Sequence, residues 1–150
     1  MRNFNNPRMN YFLAKTEPDT YSIDDLEREG KTVWDGVKSP QAIIFIKTAR
    51  PGDLVLIYHS GGERAITGVA RVVSEPREAK LVQKAGERKM SSWVFDVEFV
   101  SKLKEPVTLK EIKATGKFED FRLVYQSRLS TMTVPEKFVK WLKEEKGVRL

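Results

Sequence analysis

The stretch Asp53 to Ser60, DLVLIYHS, constrains the fold more than any other. Five successive apolar or aromatic residues of high β propensity lie between turn residues on both sides. Arg50-Pro51-Gly52-Asp53 precedes it, with proline and glycine in the order of a type II turn, and Gly61-Gly62-Glu63-Arg64 follows it. Ala65 to Ser74, AITGVARVVS, then reads as the returning strand of a hairpin. This pair is expected at the centre of a sheet. Gly68 within its second strand predicts a bulge or a close backbone approach.

The flanking segments supply further strands and short helices. Asn10 to Lys15 reads as an opening strand, stopped at Thr16-Glu17-Pro18-Asp19 because proline disfavours helical geometry in the residue before it. Ser22-Ile23-Asp24-Asp25 is a capping box for a helix closed by Gly30. A second helix from Pro40 to about Ala49 carries Ala42, Ile43, Phe45 and Ile46 as its apolar positions. Residues 75–91 lack periodicity and read as a surface loop with one helical turn. Trp93 to Lys104 alternates apolar and polar faces, as a half-buried antiparallel strand does. Thr108-Leu109-Lys110-Glu111 is a second capping box, for a helix ended by Gly116, and Phe118 to Leu123 shows no clear period. Ser127 to Val134 reads as a last strand. Pro135 then starts a terminal helix with a stripe of Phe138, Val139 and Leu142. Strands outnumber helices and no parallel βαβ spacing is evident. The expected class is α+β, a mostly antiparallel, barrel-like sheet with flanking short helices.

Length and composition exclude several functions. A chain of 150 residues is expected to fold as one domain over residues 10–150, with residues 1–9 as an N-terminal extension that lacks the apolar core of a secretory signal. No apolar run approaches the roughly 20 residues of a membrane span, so a membrane partner is not expected and a cytoplasmic monomer is. There is no cysteine and only one histidine. Neither a deaminase zinc site nor a Ser-His-Asp set has enough parts, and no metal or cofactor is expected; a carboxylate pair such as Glu17 and Asp35 stays open. A net charge of +6 points to polyanionic partners.

Lys31 to Lys47, KTVWDGVKSPQAIIFIK, is the candidate site. Trp34 supplies a flat apolar face, Asp35-Gly36 is expected to reverse the chain, and Ser39-Pro40 reads as an N-cap and first helical residue. Residues 31–50 hold Lys31, Lys38, Lys47 and Arg50 against the single acid Asp35. A helix starting at Pro40 would aim its unpaired N–H groups beside the indole, a corner suited to a planar, electron-rich ligand or a phosphate.

Several strings in order resemble one family: Lys15-Thr16-Glu17-Pro18, Ser22-Ile23-Asp24-Asp25-Leu26, Trp34-Asp35-Gly36-Val37, Gln41-Ala42, Gly52-Asp53, Tyr58-His59-Ser60, Asp96-Val97-Glu98-Phe99-Val100 and Arg128-Leu129-Ser130. They are similar to the EVE domain, a member of the PUA-like superfamily that also contains the thymocyte nuclear protein 1 group. The likeness runs from Tyr11 to Leu142. It implies a PUA-like β-barrel with short flanking helices, no intrinsic catalysis, and recognition of a modified base, best known for modified cytosine in DNA. Carried over by position, Trp34, Asp35, Gly36 and Val37 would line the base pocket. Thr16, Glu17, Tyr58, His59, Ser60, Arg128, Leu129 and Ser130 would border it. Lys38, Ser39, Pro40, Ile43 and Ile44 depart from the more polar or aromatic residues usual in the family.

Simple chemistry agrees in kind. A protein that inspects one base must extrude it, stack it on an aromatic face and pair its edge with fixed polar groups. Stacking contributes roughly 1–3 kcal/mol per base, and Lys38, Lys47 and Arg50, with Arg128, would hold flanking phosphates. One buried methyl adds only about 0.8 kcal/mol, about fourfold in affinity. The expected partner is thus nucleic acid, DNA or RNA, carrying a modified cytosine or adenine; the alternatives are a generic RNA-binding domain on the same barrel without base selectivity and, with less support, an enzyme acting on a nucleotide through Glu17 and Asp35.

Overall fold

A computed structural model describes residues 9–37, 39–79 and 92–150. Among these residues the elements are, in order, β1 (Tyr11–Thr16), α1 (Ile23–Glu29), β2 (Lys31–Val37), α2 (Pro40–Lys47), β3 (Leu54–His59), β4 (Ala65–Val72), β5 (Arg77–Ala79), β6 (Ser92–Thr108), α3 (Leu109–Ala114), α4 (Arg122–Tyr125), β7 (Thr131–Thr133) and α5 (Glu136–Lys146). The strands form one sheet in the order β2-β6-β4-β3-β1-β7, with β5 paired to β6. The sheet curls into a half-barrel with short helices around it. β2 and β7 are its edges, and α2 packs against both β6 and β7.

The central hairpin forms as its sequence predicts. β3 and β4 pair antiparallel, and β3 is buried from Leu54 to Tyr58. The turn before β3 is held by Asp53, whose fully buried carboxylate accepts the N–H groups of Asn10 (3.1 Å) and Arg50 (2.8 Å). A charge can be buried there because backbone donors replace its water. Both capping boxes are present: Ser22 and Asp25 satisfy each other's N–H groups at α1, as Thr108 and Glu111 do at α3. The terminal helix α5 buries Phe138, Val139 and Leu142, with Phe118 and Phe121 packed on Phe138 at ring distances of 5.0 and 4.7 Å.

Three expectations are corrected. The sheet contains a parallel pair: β1 runs alongside β3 in register from Tyr11↔Leu54 to Thr16↔His59. The crossover between them holds two helices and also β2, which leaves for the far edge of the sheet, so no plain βαβ spacing appears in the chain. Asp35-Gly36 does not reverse the chain. The dipeptide lies inside β2 as a bulge, between the pairs Trp34↔Phe95 and Val37↔Trp93, so two residues stand opposite Val94 alone. The last strand is confined to Thr131–Thr133, and the segment that showed no clear period, Phe118 to Leu123, runs into the single turn α4. Of the loop expected at 75–91, residues 77–79 form β5 and residues 80–91 lie outside the described residues.

Gly68 shows why local spacing matters. The β3–β4 register shifts beside it, and a Cβ there would fall into the Ile23 side chain and 2.8 Å from the Ser101 carbonyl oxygen. The absent side chain lets α1 seat on the sheet. Gly68→Ala is therefore expected to destabilise the fold by about 1–3 kcal/mol through overpacking, read as a lower urea midpoint at unchanged slope. A midpoint equal to that of the parent chain would show that α1 moves freely.

Candidate nucleic-acid interface

A cleft of about 400 Å³ opens between the end of β1, the loop leading to α1, and β2; it is lined by Lys15, Thr16, Thr20, Tyr21, Thr32, Val33, Trp34 and Asp35. Its size falls in the range of small-ligand sites. Alternation along β2 explains its floor: Thr32 and Trp34 turn inward, whereas Val33 and Asp35 face solvent. Trp34 is 7% exposed and Tyr21 stands across it edge-on, with centroids 6.2 Å apart and planes at 81°. The two rings meet at a right angle, and a flat apolar group can seat in that angle. Val33, 47% exposed, adds apolar surface at the lip.

Polar groups around this angle are fixed by backbone contacts. The Glu17 carbonyl accepts the N–H groups of Thr20 (3.0 Å) and Tyr21 (2.8 Å), closing the turn at Pro18 and presenting the tyrosine. Thr16 Oγ1 donates to the Tyr21 carbonyl at 2.8 Å, which leaves its lone pairs as acceptors. Burial pushes the Tyr21 phenol above its ordinary range. Asp35 is an exposed carboxylate at the rim, of the kind that accepts from an exocyclic base amine.

A second cleft, about 230 Å³, lies on the other side of Lys15, lined by Lys15, Tyr58, Ser60, Arg64, Leu109, Leu123 and Ser127. Lys15 Nζ donates to the Ser127 carbonyl at 2.8 Å and stands 5.6 Å from the Tyr58 ring centre. Burial, with the Arg64 charge added, holds the Lys15 ammonium below the ordinary lysine range. Burial raises the Tyr58 phenol, against the pull of Arg64.

The residues expected at the site therefore divide. Thr16, Trp34 and Asp35 line the first cleft, Tyr58 and Ser60 the second. Gly36 lies in the bulge beside Asp35. Glu17 is exposed on the turn, and its backbone rather than its carboxylate shapes the cleft. Val37 and Leu129 are buried in the core, 3% exposed each. Ser130 accepts the Lys15 N–H through its carbonyl at 2.9 Å, and Arg128 is exposed on the turn next to Ser127. His59 turns away: its Nε2 accepts the Ile23 N–H at 3.1 Å, satisfying a first-turn donor of α1. Lys47 lies over Trp93, 4.6 Å from its centroid, and Arg50 donates to the carbonyls of Lys47 (3.0 Å) and Ala49 (2.7 Å), so both serve the far end of α2. Lys38 lies outside the described residues. The start of α2 lines neither cleft, and Ser39 makes no side-chain cap bond, so the helix-terminus corner expected beside Trp34 is replaced by the β1–α1 loop.

Lys15, Thr20, Tyr21, Thr32 and Val33 in the first cleft, and Arg64, Leu109, Leu123 and Ser127 in the second, were not singled out from the sequence. For Thr32 and Val33 the missing signal was the strand itself: once residues 31–37 are continuous, their neighbours to Trp34 follow from alternation. Tyr21 sits one position before the Ser22 cap, where an apolar residue often anchors the entry to a helix.

The curled mixed half-barrel with its few short helices is that of a PUA-like domain. The chain belongs to the EVE domain family, whose model matches residues 10–145. It is 29% identical to chicken (Gallus gallus) thymocyte nuclear protein 1 over 168 residues, spanning 91% of this chain and 69% of that protein. Of the rat, human and mouse forms it spans little more than half. Among solved structures it matches a hypothetical protein from Leishmania major at a TM-score of 0.79 and 28% identity, covering 94% of this chain and 98% of that one. The human THYN1 protein in complex with 5-methylcytosine-containing DNA shares the fold at a TM-score of 0.78 and 23% identity, covering 94% of this chain and 99% of that one.

The His59 contact has a pH signature. Burial holds its imidazole below the ordinary histidine range, with Asp24 and Lys102 nearby acting in opposite senses. The unfolded chain thus takes up a proton that the folded chain resists. The contribution is fully present above the unfolded value near pH 6.5 and is lost as pH falls toward the lower folded value. Urea midpoints are expected to fall between pH 7.5 and 5.5, and to fall less in His59→Gln. The same slope in both proteins would show that His59 does not carry it.

Proposed function

We propose that this chain is a non-catalytic nucleic-acid-binding module that takes one extruded, modified base, with 5-modified cytosine in DNA as the favoured ligand. The observation that carries the reading is the angle between Tyr21 and Trp34, opening beside Lys15, a cation that pairs with no carboxylate among the described residues. Membership of the EVE family, and the human relative solved with 5-methylcytosine-containing DNA, support it. A base entering the cleft lies against the tyrosine and the exposed strip of the indole, its exocyclic amine directed to Asp35. Unpaired backbone at the Asp35-Gly36 bulge offers further edge contacts.

A binding role suits the groups available. The chain's one histidine has its Nε2 lone pair committed to α1, and Glu17 and Asp35 do not line a common cleft. The modification itself contributes modestly: one methyl against the apolar lip at Val33 adds about 0.8 kcal/mol, or about fourfold. Stacking carries more.

Titration of labelled oligonucleotides with cytosine or 5-methylcytosine, as DNA and as RNA, tests this reading. The methylated DNA is expected to bind about fourfold tighter. Tyr21→Ala is expected to weaken binding by about 1–3 kcal/mol, the value of one stacked base. Tyr21 is partly exposed, so this variant avoids the collapse that removing the buried Trp34 would bring. Equal affinity for all four ligands, unchanged by Tyr21→Ala, would leave only a generic polyanion-binding barrel.

A further inference from the structure

The smaller cleft is not used by base recognition. It brings Lys15 and Arg64 to one hollow with Ser60 and Ser127. No carboxylate among the described residues pairs with either cation, although seven other Lys or Arg side chains there do pair. The lysine's charged group and the arginine's backbone are each tied to the main chain. Lys15 Nζ is anchored on the Ser127 carbonyl, and the Arg64 carbonyl accepts the Leu109 N–H at 2.9 Å, tying the β3–β4 turn to the start of α3. Two like charges kept together without a counterion raise the energy of the unliganded fold, and an anion between them removes that penalty.

We propose that the smaller cleft is a phosphate site, which binds the phosphodiester of the nucleotide whose base occupies the larger cleft, with Lys15, Arg64 and Ser60 as donors. This rests on the base-recognition reading and adds the path by which the strand leaves it. Lys15 is a lining residue of both clefts, so base and phosphate of one nucleotide can be held on either side of that strand position. The neighbouring surface carries Lys110 and Lys113 on from Arg64, with Glu63 as its one acid, so the excess there stays positive. Phosphate contacts of this kind fix position and register and leave the choice of base to the other cleft.

The test has two arms, using the whole chain and the variants Arg64→Gln and Lys15→Met. In the first, inorganic phosphate is expected to raise the Tm of the parent chain, and to raise it less in each variant; both variants are expected to fold with an unliganded Tm at or above the parent's, because a repulsion is relieved. In the second, an oligonucleotide with a single 5-methylcytosine is titrated against salt. Arg64→Gln is expected to reduce the slope of log K on log salt by about 1 and to cost roughly fivefold to tenfold in affinity at 0.1 M salt, with the methylated-to-unmethylated ratio unchanged. Replacing the phosphates flanking that base by neutral methylphosphonates is expected to weaken the parent and to weaken Arg64→Gln less. An unchanged slope in Arg64→Gln, or a changed base preference with the same slope, overturns the phosphate site while base recognition stands. A parent chain indifferent to methylation whose slope still falls in Arg64→Gln overturns base recognition and supports the phosphate site.

Discussion

The parallel pairing of β1 with β3 is the constraint on which both clefts depend. Its register sets Lys15 beside Tyr58 and Thr16 beside His59, and the Ser60 N–H continues the ladder to the Thr16 carbonyl at 3.0 Å. Successive side chains leave opposite faces of a strand, so one pair serves the smaller cleft and the other meets α1 and its entry loop. A slip of one residue would exchange these faces and put the lysine against the helix. The six paired residues, with Phe12, Leu13 and Ala14 fully buried, make such a slip costly. Site geometry is thus a by-product of core packing.

What could be read from the chain were features whose partners lie within a few residues. The two capping boxes, at Ser22 and Thr108, are bonds between positions three apart, and they form where expected. The hairpin around Gly61-Gly62 joins strands that are also neighbours in sequence. Features defined by a distant partner were not legible. A bulge exists only relative to the opposite strand, so Asp35-Gly36 had the appearance of a turn until β6 stood beside it. Lys15 and Arg64 are 49 positions apart, and nothing local to either foretells their meeting. The cations near Trp34 in sequence misled for the same reason: Lys47 and Arg50 lie at the end of α2, where an aromatic ring and open carbonyls hold them.

Burial of Trp34 bears on how well a ligand can be held. An indole largely enclosed by the core, cross-strand from Phe95, has little rotamer freedom left to lose when a base arrives. Tyr21 is the more exposed ring, and its backbone is fixed by the Glu17 and Thr16 bonds on both sides. One wall is therefore rigid and the other adjustable. β2 is also an edge strand, open to pairing with another chain. The bulge at Asp35-Gly36 and the charges of Lys31 and Asp35 blunt that edge while shaping the cleft.

The net charge of +6 is small for a polyanion binder, and its placement matters more than its size. Arg28, Arg50, Arg71, Arg77, Lys102, Lys137 and Lys146 are each neutralised by a nearby carboxylate, and none of them lines either cleft. Lys15 and Arg64, by contrast, line the smaller cleft with no carboxylate partner among the described residues, and the exposed Arg128 lies on the turn beside Ser127. At physiological salt, charges further apart than about 8 Å scarcely feel one another, so only such local excess acts on a bound strand. That separation assigns affinity to one group of residues and choice of base to another. In the proposed reading the cations would set how tightly any strand is held and how steeply salt weakens it, whereas the paired rings and the Asp35 carboxylate would decide which base remains in the cleft.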